Sequence, residues 1–424
     1  MEEIKVSLSL QKLFTGAVLS FCLICCLTSC HKDPDPVEQT PVNLSETETA
    51  NCYIASVAGQ LYEFRADVMG NGLIPTPNPD EPDNVSLDVP SNAVAAILWM
   101  TPHDRQVIYA PYYNSEYKTI SFYTSAYSGN AVIGLFVDTN NNGVWDSDGS
   151  EKIIWSWHIW CVDYDPSVAG NYEVYYQSPL IGTKVMNRNL GAYLNVPSDL
   201  LEENIIASFG LKYQFGRKDP FPTTGVLQGS GTLGAINLHN RGLTYPDNVW
   251  KETSQPADVS LDYATNHPTT FIFSYELDEI WLAGDNSCSL WGVQSEGAGM
   301  NRKTIYDPCP PGWRVPAEKV FAPLATDAGS SLIVGVDKMS SQYGVYLNYG
   351  GADYTFLPAD GFGLINESKY TIAGVGQEVS LGTGSAFIVD GMLFSKYLSI
   401  EAGGTYIAST PMIAATSIRC VADE

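Results

Sequence analysis

The run IIWSWHIWCVDYDP at 153–166 constrains the fold of this chain more than any other stretch. Ile153, Trp155, Trp157, Ile159 and Cys161 recur with period two, the repeat of a strand and not the 3.6 of a helix. That face is expected to lie in a core. The opposite face carries Ser156, His158 and Trp160 and is expected to meet the second half of the chain. Five other runs have the same β-rich character: ANCYIAS (50–56), QLYEFRADV (60–68), NAVAAILWM (92–100), KTISFYTSA (118–126) and AVIGLFVDT (131–139). Turn formers such as Gly129-Asn130 and Asn142-Gly143 punctuate them. PTPNPDEPDN (75–84) reads as a loop, because proline cannot donate to a ladder. Strands at this spacing with no helical pattern predict a β-sandwich over 51–170.

Composition narrows the function. The chain has 424 residues, 47 of them acidic and 22 basic, for a formal charge of −25. Phosphate neutralisation needs a basic surface, so nucleic acid is excluded as a partner. With 45% hydrophobic and only 16% charged residues, the chain can build real cores. Its length fits two or three domains.

Near the start, Lys5 and Lys12 precede an apolar stretch from Leu13 to Leu27. At about 15 residues it is too short to span a bilayer comfortably. It ends in Leu27-Thr28-Ser29-Cys30, which resembles the bacterial lipobox. The resemblance implies a signal peptide over 1–29, cleavage before Cys30 and acylation of that cysteine. The alternative is an ordinary secretory signal with an incidental Cys30. Residues 30–50 are polar, proline-containing and aperiodic, as expected of a flexible tether. Asp33 and Asp35, just after the cysteine, resemble the surface-export signals of Bacteroidota lipoproteins. The expected location is the outer membrane, held by lipid and exposed at the cell surface.

Cys52, Cys161, Cys288, Cys309 and Cys420 follow the tether, and an odd number leaves at least one outside any intrachain pairing. No CxxC occurs among them, which argues against a structural zinc site or a thioredoxin-like centre.

The second half, 171–424, reads as α+β. Ser198-Asp199 followed by Glu202 and Glu203 resembles a capping box, with Leu201, Ile205 and Phe209 on one helical face before Gly210. A further short helix is expected after Pro316. Five landmarks carry a family resemblance: MNRNLGA (186–192), YQFGRKDPF (213–221), YDPCPPGWRVP (306–316), FLPADGFG (356–363) and TSIRCVADE (416–424). They resemble the Fibrobacter succinogenes major paralogous domain of Bacteroidota surface lipoproteins, which is similar to the C-type-lectin-like fold of the formylglycine-generating-enzyme group. Upstream, ANCYIAS and IIWSWHIW resemble the β-domain that precedes it in fimbrillin-like lipoproteins. The resemblance implies a mainly β chain, in which an N-terminal β-sandwich is followed by a C-type-lectin-like α+β domain.

Three positions depart from the family pattern: Asn187 for an aspartate, Phe215 for a tryptophan, and Ala317 for a capping serine or threonine. The last predicts helix donors left without a cap, at about 1 kcal/mol. A lectin-like fold brings its first and last strands together, so the resemblance implies a disulfide between Cys309 and Cys420. Two separate buried thiols are the alternative.

DTNNNGVWD (138–146) places Asp138, Asn140, Asn142 and Asp146 at loop positions 1, 3, 5 and 9, with Gly143 at the turn. That spacing suits oxygen ligation of Ca²⁺. Gly149, however, occupies the twelfth position, where a bidentate glutamate belongs, leaving Asp148 or Glu151 to substitute. A plain hairpin turn is the competing reading. Glu81-Pro82-Asp83 lies in the wrong half for a lectin calcium site, and Gln255-Pro256 is followed by Ala257. GSGTLG (229–234) lacks a surrounding βαβ unit and reads as a loop. Arg188, Arg217, Lys218 and Asp219 sit in apolar context, as internal ion pairs or an anion site. Tyr109, Tyr112, Tyr113, Tyr117, Tyr123 and Tyr127 form a cluster suited to stacking on sugars or to strand packing. The five histidines are scattered, and neither HExxH nor GxSxG occurs.

No catalytic residue and no cofactor beyond the calcium candidate is expected. The functional expectation is a lipid-anchored, non-catalytic cell-surface protein acting as an adhesin or fimbria-associated subunit. A glycan-binding lipoprotein of a polysaccharide-uptake system is the alternative.

Overall fold

The computed structural model describes residues 39–73, 84–102, 104–146, 150–175, 182–224, 250–252, 260–273, 288–292, 303–348, 354–366, 369–390, 392–411 and 414–423. Contacts divide the chain into Met1–Thr40 and Pro41–Glu424, and every element below belongs to the second unit. Among the described residues strand makes up 45% and helix 11%, so the fold is mainly β. Among the described residues, no helix is long and apolar enough to cross a membrane.

The first half contributes β1 (Val42–Asn43), β2 (Cys52–Ala55), β3 (Leu61–Arg65), β4 (Val68–Leu73), β5 (Asn84–Ser86), β6 (Ala93–Thr101), β7 (Ile108–Asn114), β8 (Thr119–Thr124), β9 (Gly129–Val137) and β10 (Ile153–Cys161). They form two four-stranded sheets, ordered β1-β3-β8-β7 and β2-β10-β9-β6, with β4 and β5 as a separate ribbon. β8 alternates half-buried and buried positions, because one face packs and the other is wet. Its Ile120 and Phe122, with Phe64 of β3, meet Tyr53, Ile133, Trp155 and Trp157 of the other sheet in one buried cluster. The Phe64 ring lies 4.9 Å from Tyr53 and 5.3 Å from Trp157.

The period-two reading of 153–161 holds for Trp155, Trp157, Ile159 and Cys161, which all join that cluster. Ile153 is the exception and packs on the opposite side. A register shift between Ile153 and Trp155 sets two residues against one on β9, and one extra residue reverses which face a side chain takes. Strand β7 escaped the sequence reading, since Pro111 in its middle argues against a ladder. It is tolerated because β7 is an edge strand.

The second half adds β11 (Tyr172–Val174), β12 (Lys184–Met186), β13 (Lys212–Gln214), β14 (Trp250–Glu252), β15 (Phe271–Phe273), β16 (Trp313–Arg314), β17 (Ile333–Val334), β18 (Gly344–Leu347), β19 (Thr355–Pro358), β20 (Asp360–Asn366), β21 (Lys369–Val375), β22 (Val379–Val389), β23 (Met392–Glu401), β24 (Gly404–Pro411), β25 (Ala415–Ser417) and β26 (Val421–Ala422). One sheet runs β11-β12-β26-β16. A larger one runs β21-β20-β25-β22-β23-β24, with β13 also paired to β25. Its helices are short, among them α1 (Glu202–Ala207), α2 (Leu261–Asn266) and α3 (Glu318–Phe321).

Two capping expectations need correction. The residue before α1 is Leu201 and makes no side-chain cap. Asp199 instead accepts from Leu201 N at 2.9 Å and Asn204 Nδ2 at 2.8 Å, bracing the turn from one step further out. Before α3, Ala317 has no hydroxyl, yet the helix is not left bare. Glu318 N donates to Ser385 Oγ at 2.9 Å, so a serine on β22 supplies the acceptor from 67 residues away.

The two halves share a buried seam. One cluster takes Leu98, Trp99, Phe136 and Trp160 from the first half and Tyr213, Phe215, Trp291 and Ile418 from the second. Asn51 donates to Ile305 O at 2.7 Å and Asp307 O at 2.9 Å, and accepts from Trp155 Nε1 at 2.9 Å. At Gly70 the backbone takes φ +48°, and an added Cβ would stand 2.5 Å from Ile305 O. Only glycine permits that approach.

Candidate functional site

The landmark peptides converge, and elementary chemistry explains their residue types. In YDPCPPGWRVP the backbone folds so tightly that few of its polar groups find ladder partners. Asp307, fully buried, accepts from Cys309 N at 2.7 Å and from Val315 N at 2.8 Å. Burial raises the pKa of its carboxyl, and the Lys303 ammonium opposes that rise. Lys303 Nζ donates to Cys309 O at 2.6 Å, to Pro310 O at 3.0 Å and to Trp313 O. Cys309 is disulfide-bonded to Cys420, 111 residues on. Trp313 and Arg314 pair in β-register with Ala422 and Val421.

The closing segment is anchored as firmly at its other residues. Arg419, wholly buried, donates to Asn189 Oδ1 at 2.9 Å and to Phe356 O at 2.9 Å. Lys212 Nζ reaches Gly361 O at 2.6 Å, Ser417 Oγ at 2.9 Å and Asp360 Oδ1 at 3.0 Å. MNRNLGA and FLPADGFG thus meet the segment 415–422 through single buried polar groups, and YQFGRKDPF does so through the pairing of Tyr213 with Thr416 and through Lys212 just before it. Asn187 accepts from Arg188 Nε at 3.1 Å, and the Arg188 guanidinium lies 4.0 Å above the Tyr164 ring. Each of these groups is committed to holding backbone or a counter-charge.

The seam carries a second polar knot. Lys218 Nζ donates to Ser156 Oγ at 2.5 Å and to Asp219 Oδ1 at 2.7 Å, and lies 4.5 Å over the Trp155 ring. Ser156 Oγ donates in turn to Asp219 at 2.5 Å. Burial lowers the Lys218 pKa and the Asp219 charge opposes it. Arg217 donates to Thr270 O at 2.5 Å and His267 O at 3.1 Å. A hydroxyl between an amine and a carboxylate can serve as a nucleophile, but here Ser156 is 1% exposed. The adjoining hollow of ≈ 10 Å³ has room for about one water and no substrate. These charges act as internal ion pairs.

His158 is equally enclosed. Asn130 Nδ2 donates to Gly191 O at 3.0 Å, so its Oδ1, 2.9 Å from His158 Nε2, must accept. Nε2 therefore carries the proton, and Nδ1 accepts from the Tyr213 hydroxyl at 3.2 Å. Burial pushes the imidazole pKa down to about 3, keeping it neutral. Sequence reasoning placed Ser156 and His158 on the seam face but could not name Asp219, Asn130 and Tyr213 as their partners. Asn51 went unnoticed, as a lone asparagine before a strand carries no signal.

The calcium candidate folds into a hydrogen-bonded turn. Asp138 accepts from Gly143 N at 2.7 Å and Asn142 N at 3.2 Å. Asn140 Nδ2 donates to Asp146 Oδ2 at 2.6 Å, and Asn142 Oδ1 accepts from Val144 N at 2.7 Å. Glu151 accepts from Thr139 N at 2.7 Å and Asp146 N at 2.9 Å, tying the loop shut from below. Among the described residues no group of three or more His, Cys, Asp or Glu side chains could hold a metal. Gly149 and Asp148 lie outside the described residues, as do Cys30, Glu81-Pro82-Asp83, GSGTLG (229–234) and Gln255-Pro256-Ala257.

The tyrosine cluster divides. Tyr113 is buried, 7% exposed, and Tyr123 is half-buried. Tyr109, Tyr112, Tyr117 and Tyr127 are open at 39%, 63%, 69% and 49%. Tyr109 and Tyr123 stack across β7 and β8 with centroids 5.3 Å apart and planes 10° off parallel. Compared with protein families, curated proteins and solved structures, the chain finds no match in any of the three.

Proposed function

We propose that this chain is a lipid-anchored protein of a bacterial outer surface. In this reading 51–170 form a β-sandwich and 171–424 a C-type-lectin-like domain of the Fibrobacter succinogenes major paralogous kind. Its role is non-catalytic, as an adhesin or fimbria-associated subunit. The supporting observation is the convergence of distant landmark peptides on the closing strands, with Trp313 paired to Ala422 and Cys309 bonded to Cys420. That pattern frames a scaffold with long segments between its landmarks, the arrangement on which recognition surfaces are built. Acyl chains on Cys30, at about 0.8 kcal/mol per buried methylene, supply the membrane hold.

Cys30→Ser tests the anchor: the variant is expected in the soluble fraction, and unchanged membrane retention overturns the reading. Incorporation of the wild type into filaments, or adhesion of cells displaying it, tests the role. A second reading, a glycan-capturing lipoprotein of a polysaccharide-uptake system, draws support from the open tyrosines of β7 and its loops.

A further inference from the structure

Strand β7 breaks the rule of alternation in a way that exposes aromatic rings. Residues three apart on a regular strand face opposite sides of the sheet. Tyr109 and Tyr112 are three apart, yet both are exposed, while Ile108 and Tyr113 on either side of them are buried. The ladder to β8 slips between Tyr109 and Tyr112. Within the slip Ala110 holds φ +51°, a conformation alanine rarely adopts. A bulge of this kind re-aims a side chain, here turning two rings to one face.

The face has a definite layout. Tyr109 stands opposite Tyr123, and Tyr112 opposite Ser121, in successive rows across β7 and β8. Tyr117 lies in the turn at one end. At the other, Tyr127 lies beneath the Arg105 guanidinium, 5.6 Å from its ring centre. From Tyr123 to Thr119 the platform runs four residues along β8, about 14 Å, before Tyr117 extends it. That is the reach of a short oligosaccharide.

We propose that this outward face of β7 and β8 is a binding platform for neutral glycan chains. The inference deepens the second reading above and rests on it for its setting. A pyranose ring offers C–H groups on its faces and hydroxyls at its rim. Tyrosine matches both, with an apolar ring and a polar tip held at little cost in side-chain freedom. Ser121 and the Glu63 opposite it add acceptors for sugar hydroxyls. Charge selects the ligand: Arg105 is engaged with Asp104 at 3.8 Å, Arg65 opposite Thr119 is engaged with Asp67 at 3.0 Å, Glu63 flanks the rings, and the chain carries −25. A polyanion is repelled by such a surface, and a neutral polysaccharide is not. An added protein strand is disfavoured as occupant, because Pro111 and the Ala110 bulge spoil the edge it would pair with.

The test uses the full-length chain in detergent against immobilised xylan, mannan, β-glucan and arabinogalactan, with polygalacturonate as the polyanion. Retention on at least one neutral polysaccharide is expected. Tyr112→Ala/Tyr117→Ala is expected to weaken it at least about tenfold, since two stacking rings are lost. Both side chains are exposed, so the melting temperature stays put, and Tyr112→Phe retains binding. No retention on any neutral polysaccharide overturns the proposal. Undiminished binding by the double variant, or preference for polygalacturonate, does so as well. Failure of the anchor is separate, being read by fractionation of Cys30→Ser and not by glycan retention.

Discussion

The Cys309–Cys420 bond offers the sharpest quantitative test. It closes a loop of 111 residues. In the chain-entropy treatment, a cross-link over that length removes about 16 cal/mol/K from the unfolded ensemble, or about 4.8 kcal/mol at 25 °C. Entropy of unfolding near 2.1 cal/mol/K per residue gives the Pro41–Glu424 unit roughly 0.8 kcal/mol/K, so losing the bond lowers Tm by about 6 °C. The double variant Cys309→Ala/Cys420→Ala removes the bond without leaving one thiol stranded in a core. Calorimetry of wild type, reduced wild type and double variant is the assay, with alkylation and mass measurement verifying the redox state. Reduction should move the wild type toward the variant and leave the variant in place. A Tm that stays fixed while Cys309 and Cys420 become alkylatable refutes the reasoning. So does a variant as stable as the oxidised protein.

Other outcomes follow from the buried polar groups. His158 has a folded pKa of about 3, below its unfolded value near 6.5, so its contribution to stability is complete above pH 6.5. As pH falls below that, the unfolded state takes up the proton first and stability drops by about 1.4 kcal/mol per unit until about pH 3. Melting curves should show a shallower acid slope for His158→Gln, and an identical slope speaks against a neutral buried imidazole. Lys303→Met strands three carbonyls and the Asp307 carboxyl and is expected to cost about 3–5 kcal/mol in denaturant unfolding. A loss under 1 kcal/mol contradicts that role. Burial raises the thiol pKa values of Cys52 and Cys161, so both should resist alkylation until denaturant is added; rapid native labelling counts against their place in the cores.

What was legible in the sequence followed physical periodicity. The strands around Phe64 and Ile120 are visible because a half-buried strand must alternate, and Trp155 and Trp157 recur at period two on a strand that the seam buries on its other face as well. Ile153 fell on the other side because a bulge leaves no mark in composition. Strand β7 was hidden by Pro111, whose rule holds for central strands and lapses at an edge. The cap of α3 was invisible for a different reason: its acceptor, Ser385, is distant in sequence and adjacent only after folding. The same limit applies to the seam, where Ser156 could be placed on a face but not matched to Asp219. Tyr109 and Tyr112 were recognisable as a cluster. That both point outward depends on the backbone of Ala110, which no side-chain pattern encodes.

The position of β25 and β26 has a consequence for how the molecule is made. Residues 415–422 are synthesised after β12, β13, β16, β20 and β22, yet they supply the pairing that joins those strands. Until they emerge, neither sheet can close and Cys309 has no partner. The second half thus waits on residues 415–422, whereas the two sheets of the first half are complete without them.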